Sequence, residues 1–145
     1  MGTNVYMKHI PTEAELETIK KKIDEHKFYD AKEDLECLIK NEVHIGKCSM
    51  GWQFLFAPNP DYYAGNRKSI DHFLHESGKG EWILENEYGD VIDPDTFWDI
   101  YVDSHKDMYT SKSYHEEHPE ESYNWPVLEH ISKDGLRISS TADFA

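Results

Sequence analysis

"VHIGKCSMGWQFLFA", residues 43–57, is the stretch on which the reading of this chain turns. Val43 to Cys48 is rich in β-formers and reads as a strand. Ser49-Met50-Gly51 reads as part of a turn, and Trp52 to Ala57 as the returning strand. Successive side chains of a strand point to opposite faces. Trp52, Phe54 and Phe56 therefore share one face, and Gln53 and Leu55 the other, which predicts a β-hairpin with a heavy aromatic side. The polar residues carry two readings. In one, Lys47, Ser49 and the backbone amides around Gly51 hold a phosphate-like anion, Trp52 stacks on a ring, and His44 and Gln53 supply hydrogen bonds. In the other, Gly46 and Gly51 serve backbone geometry and Trp52 is core. The spacing is not that of a Walker A loop, which places its Lys after a longer glycine loop and before a helix.

Working outward, residues 4–9 of "MGTNVYMKHI" predict a strand. Thr12 with Glu15 three positions on is a capping-box pattern, and Leu16, Ile19 and Ile23 follow at helical spacing. That helix is expected to end between His26 and Phe28. Asp30 and Glu33 form a second cap pair ahead of Leu35, Leu38 and Ile39, so residues 12–41 predict a helical hairpin whose narrow apolar stripes pack on a sheet. "PNPDYYAGNRK" is a loop, and Ser69 is the expected cap of a short helix carrying Ile70, Phe73 and Leu74. Residues 81–93 predict a second hairpin around Tyr88-Gly89-Asp90. Asp93-Pro94 predicts a helix entry. Residues 103–124 are polar and predict little order. Residues 127–141 predict a third hairpin around Lys133-Asp134-Gly135. With no internal repeat and no βαβ rhythm, the expectation is one α+β domain over 1–145: antiparallel hairpins forming a sheet packed with short helices.

Bulk composition narrows the function classes. A chain of 145 residues suits one core, and an aromatic share of 13% lets a modest core be built from large side chains. No apolar run approaches the roughly 18 residues that span a bilayer. No signal-peptide pattern opens the chain, and Tyr6 stands where a myristoylation motif wants Ser or Thr. A soluble cytoplasmic protein is expected. Cys37 and Cys48 form no CxxC pair, so reduced thiols are expected. Fifteen Lys and Arg against twenty-nine Asp and Glu give a formal charge of −14. Such a field repels phosphate backbones and disfavours nucleic-acid binding. It also suits an acidic mimic of nucleic acid, with Glu116, Glu117, Glu120 and Glu121 on its face, whose complex with a basic partner would weaken steeply with salt.

Nine histidines raise the question of a metal. His72 and His75 share a helix face with Glu76, and His115 and His118 flank two glutamates. A zinc site needs three or four ligands in defined geometry, and there is no HExxH, so neither a metal nor another cofactor is predicted. Nucleophilic catalysis has no signature: there is no GxSxG, Cys37 sits on an apolar helix, and Cys48 sits beside Lys47, which could lower its pKa, but one thiol and scattered histidines do not make a dyad. Tyr62, Tyr63, Trp82, Tyr109, Tyr114, Tyr123 and Trp125 exceed what short helices hide, which points to an oligomer or a partner surface.

Four blocks carry a resemblance: "MGTNVY" (1–6), "VHIGKCSMGWQFLF" (43–56), "ENEYGDVIDPDTFW" (85–98) and "DGLRISSTADF" (134–144). In this order they resemble a set of small uncharacterised proteins of bacteriophage and prophage genomes, which typically open with MGTNYY, contain HIGKSSxGWxF and close on a glycine-aromatic strand ending near Phe. Many of those carry a CxxC before the HIGK block. This chain has the helical segment 12–41 there, and Cys48 where the pattern has Ser. The resemblance implies an accessory role, blocking a host process or an antiviral defence. It adds weight to His44, Gly46, Lys47, Ser49, Gly51 and Trp52 as a functional surface. The expected function is a non-enzymatic binding protein that holds a small nucleotide-like ligand with His44, Lys47, Ser49, Gly51, Trp52 and Gln53. The alternatives are the acidic inhibitor of a host or defence protein and a metal-dependent hydrolase using His72, His75 or His115.

Overall fold

A computed structural model describes residues 2–39, 42–77, 82–120 and 129–140. Six strands form one mixed sheet in the order β4-β1-β2-β3-β6-β5. They are β1 (Gly2–His9), β2 (Val43–Ser49), β3 (Leu55–Phe56), β4 (Trp82–Asn86), β5 (Glu129–Ile131) and β6 (Arg137–Ser139). Every pair is antiparallel except β3 and β6, which run parallel through Leu55↔Arg137 and Phe56↔Ile138. The α+β class expected from the sequence is the class observed.

The centre of the sheet explains why 43–57 was informative. Gly46 pairs with Val5 and His44 with Tyr6, so the register skips Ile45 and β2 is bulged there. The bulge turns the carbonyls of His44 and Ile45 to new partners: Asn59 Nδ2 donates to the first at 2.8 Å, and Ala57 N–H to the second at 2.8 Å. Val5, Met7, Val43 and Ile45 are buried on the core side with Phe54 and Phe56. Gly46 is fixed by contact: a Cβ there would meet the Leu55 carbonyl at 2.3 Å and the Phe54 ring at 2.4 Å. Gly51 is fixed by conformation. Trp52 N–H donates to Ser49 O at 3.2 Å, and Gly51 sits third in that turn at φ 82°, the left-handed position glycine favours.

The returning limb is shorter than a strand over Trp52 to Ala57. Only Leu55 and Phe56 join the sheet. Gln53 N–H donates to Tyr109 O at 2.8 Å, and Tyr109 N–H to Gly51 O at 3.0 Å, so the first part of the limb pairs with a different segment. Trp52 accordingly leaves the Phe54–Phe56 face and bridges to Tyr109.

The helices are α1 (Glu13–Asp24), α2 (Phe28–Ile39), α3 (Arg67–Ser77), α4 (Pro94–Thr96) and α5 (Ser111–Glu117). The Thr12–Glu15 capping box forms as expected. α2 starts at Phe28, two residues before Asp30, because His26 at φ 62° reverses the chain early and Asp30 becomes a first-turn residue. Ile19 and Ala31 are buried, whereas Leu16, Ile23 and Leu35 are exposed, and none of the described side chains of α1 and α2 belongs to the main core. The expected packing of these helices on the sheet is thin and runs mainly between α2 and β1.

α3 buries Ile70 and Leu74. Its cap is Asn66, whose Oδ1 accepts from Ser69 N at 2.9 Å, while the Ser69 hydroxyl turns back to Ala64 O. Asp93 caps α4 through Asp95 N and Thr96 N, with Pro94 in the first turn. The helix then widens into a π-helix over Phe97–Val102 and tightens into a 3-10 turn over Asp103–His105. Residues 103–120 therefore hold this turn and α5, capped by Thr110, where composition predicted little order; 121–124 lie outside the described residues.

The second hairpin is a β4 limb closed by the Glu85↔Val91 bridge, with Asn86 Oδ1 accepting from Tyr88 N and Asp90 N. The third pairs β5 with β6 around Gly135 at φ 90°, and its expected ends at 127, 128 and 141 lie outside the described residues. Among the aromatics expected at a surface, Tyr63 is buried and its hydroxyl donates to Ala57 O at 2.9 Å; burial pushes the phenol up to about 12, against the opposing pull of the Asn59 amide. Tyr123 and Trp125 lie outside the described residues.

Candidate functional site

Strand alternation sorts the six residues of the expected site into two groups. His44, Lys47 and Ser49 register opposite Tyr6, Asn4 and Gly2, on the side of the sheet away from the core. The His44 ring stacks on Tyr6 at 4.8 Å, and its Nε2 lies 3.0 Å from Asn4 Oδ1 and 3.2 Å from Gly46 O. Half-burial pushes the imidazole below its usual value. The Gly46 carbonyl opposes that shift, the Lys47 cation adds to it, and the Glu87 carboxylate works against it. Lys8 Nζ lies over the Tyr6 ring, 5.6 Å from the centroid and 3.2 Å from Glu85. The Tyr6 phenol is pushed up, first by burial and then by Glu42 and Glu87.

Gly2 completes this patch by having no side chain. A Cβ there would lie 2.6 Å from Ser49 Oγ and 2.7 Å from Lys47 Cε. The serine hydroxyl and the lysine stem therefore converge over Gly2, which a larger residue would push apart.

Gly51, Trp52 and Gln53 belong elsewhere. Gly51 and Gln53 line a cleft of about 490 Å³ with Lys106, Tyr109, Ser113 and Glu117. Gln53 Nε2 donates to the carbonyls of Lys106 (2.9 Å) and Met108 (3.3 Å). The Trp52 ring stacks on Tyr114 at 5.1 Å and carries the Arg137 guanidinium at 5.0 Å. Arg137 is itself largely buried, binds Glu129, and donates to Gln53 O at 3.0 Å. The stacking role expected of Trp52 toward a ligand is thus taken up by the chain's own side chains.

The histidines do not converge. His72 is exposed. His75 lies against Asp71 and Asp95, and its imidazole is pushed up chiefly by the Asp71 carbonyl. His118 stacks on Tyr114 at 4.2 Å, one turn from His115 on α5. Among the described residues no group of three or more His, Cys, Asp or Glu is placed to hold a metal ion. Among the same residues, no helix is long and apolar enough to cross a membrane.

Two features escaped the sequence. Asn4 and Tyr6 contribute as much to the His44 patch as β2 does, and the alternation of β1 would have shown it once β1 was paired with β2. The second is a contact between Cys48 Sγ and His105 Nε2 at 3.8 Å, across 57 residues, for which no local signal exists.

Comparison with protein-family models, with curated proteins and with solved structures returns no match.

Proposed function

We propose that this chain is a small accessory binding protein of the phage type its sequence blocks resemble, taking a small anionic, nucleotide-like ligand on the sheet face built by Asn4, Tyr6, His44, Lys47 and Ser49. The observation that carries this reading is the convergence of Lys47 and Ser49 over Gly2, beside the stacked His44–Tyr6 pair. A lysine stem and a serine hydroxyl brought side by side in this way suit a phosphate group, which takes charge-assisted hydrogen bonds from both residue types. The neighbouring aromatic pair and the Asn4 amide suit a polar ring. Lys47 supplies the positive charge for a small anion, while the field of a chain of net charge −14 keeps long polyanions away. Gly51 and Gln53, in the cleft facing 106–117, lie outside this reduced site.

The test is a thermal-shift screen of nucleoside mono-, di- and triphosphates and cyclic dinucleotides, repeated on Lys47→Ala. A stabilising hit should vanish in the variant while its unliganded melting temperature stays near that of the wild type. A hit of unchanged size in Lys47→Ala, or no hit in the panel, sinks this reading.

A further inference from the structure

Cys48 and His105 meet on the core side of β2, away from the patch just described. His105 Nδ1 lies 3.3 Å from the Trp52 carbonyl, and Nε2 lies 3.8 Å from Cys48 Sγ. A carbonyl only accepts, so the Nδ1 contact requires a proton on Nδ1. Nε2 then presents its lone pair to the thiol, and the S–H donates to it. This is the order nucleophile, base, orienting acceptor that activated thiols use, with a backbone carbonyl in the third position. Both side chains are half-buried, so neither is sealed in the core.

The fold spends an unusual device on placing His105. The six-residue π-helix over Phe97–Val102 runs directly into the turn that carries it. π-Segments are rare and recur at functional sites. The turn is fixed by Asp103, which takes both ends of the Arg67 guanidinium at 2.6 and 2.9 Å. Burial pushes the Cys48 thiol above its usual value, so a smaller share of it is thiolate and a base that takes the proton during attack matters more. Cys37 is the contrast within the same chain: an exposed thiol on α2.

We infer that Cys48 is a modification site for soft carbon electrophiles bearing a good leaving group, with His105 as its general base. With iodoacetamide the step is a displacement. The sulfur forms a bond to the methylene carbon, the carbon–iodine bond breaks, iodide leaves with the electron pair, and the thiol proton passes to His105 Nε2. No oxidant or reductant enters.

The test follows alkylation of both cysteines by iodoacetamide in the folded, reduced protein, with peptide mass spectrometry resolving Cys48 from Cys37. A half-buried thiol without a base should lag far behind an exposed one. Cys48 is expected to match or outpace Cys37 in the wild type, and to slow at least tenfold in His105→Gln with the Cys37 rate unchanged. Free imidazole should restore part of the rate in His105→Gly, which a purely structural role for the ring would not produce. Cys48 lagging Cys37 in the wild type overturns the inference, as does a Cys48 rate indifferent to His105→Gln. The wild-type comparison stands even if a variant loses its near-ultraviolet circular dichroism.

Discussion

At the scale of single residues, His44 ties the chemistry of the sheet face to stability. Its imidazole is held below its usual value because half-burial disfavours the charged ring. The unfolded chain therefore binds a proton at His44 more readily than the folded one, and stability rises with pH. This contribution is complete above the unfolded imidazole's titration range and is lost as pH falls through the lower, folded value. Between about pH 7.5 and 5, where imidazoles titrate, the urea midpoint of the wild type should fall further than that of His44→Gln. Equal slopes for the two proteins would show that another group controls this limb. The residue itself was legible, since a histidine in an aromatic-rich strand is conspicuous. Its partners were not, because Tyr6 and Asn4 reach it only through the β1–β2 register, and that register depends on a bulge at Ile45 that no residue preference announces.

Most elements defined by local chemistry matched expectation, the caps expected at Asp30 and Ser69 excepted, and elements defined by distant contacts did not. The Thr12–Glu15 box, the Asp93-Pro94 entry and the turns at Gly89 and Gly135 are each settled within a few residues, and each formed where expected. β3 is shorter than its sequence suggests because Tyr109, more than fifty positions on, takes the backbone groups of Gly51 and Gln53. α3 begins at Arg67 because Asn66 caps it and Asp134 accepts from the Arg67 N–H at 2.7 Å, and the second of these partners is invisible locally. α4 allows a direct measurement. Asp93 accepts from two N–H groups at the entry to the segment that becomes the π-helix. Asp93→Ala should cost about 1 kcal/mol of unfolding free energy, the ordinary loss for an N-cap. Denaturant unfolding checks it, and a loss within a few tenths of zero would mean that Pro94 and the buried Phe97 hold the entry without the cap.

Over the whole molecule the excess of acid governs behaviour. Among the described residues the ion pairs are mostly exposed, such as Lys20–Glu17 and Lys32–Glu36, and such pairs contribute roughly 0–1 kcal/mol each. The most buried of them is Arg137–Glu129, which salt reaches least. A formal charge of −14 meanwhile repels itself across the molecule. Screening should therefore relieve more repulsion than attraction, and the melting temperature should rise as sodium chloride goes from about 20 to about 200 mM, where the Debye length shortens severalfold. A melting temperature that falls over this range would show that the ion pairs outweigh the net charge.

The parallel pairing of β3 with β6 has a consequence for how the protein is made. Leu55 and Phe56 sit in the middle of the finished sheet, yet one of their edges is filled by Arg137 and Ile138. A ribosome delivers that partner roughly 80 residues later, and contacts so distant in sequence form slowly. Throughout that interval the nascent sheet carries an unpaired edge next to Phe54 and Phe56, the kind of surface that chaperones cover and that aggregates recruit. Translation past residue 138, and not the early appearance of the hairpin, is the event that closes the centre of this fold.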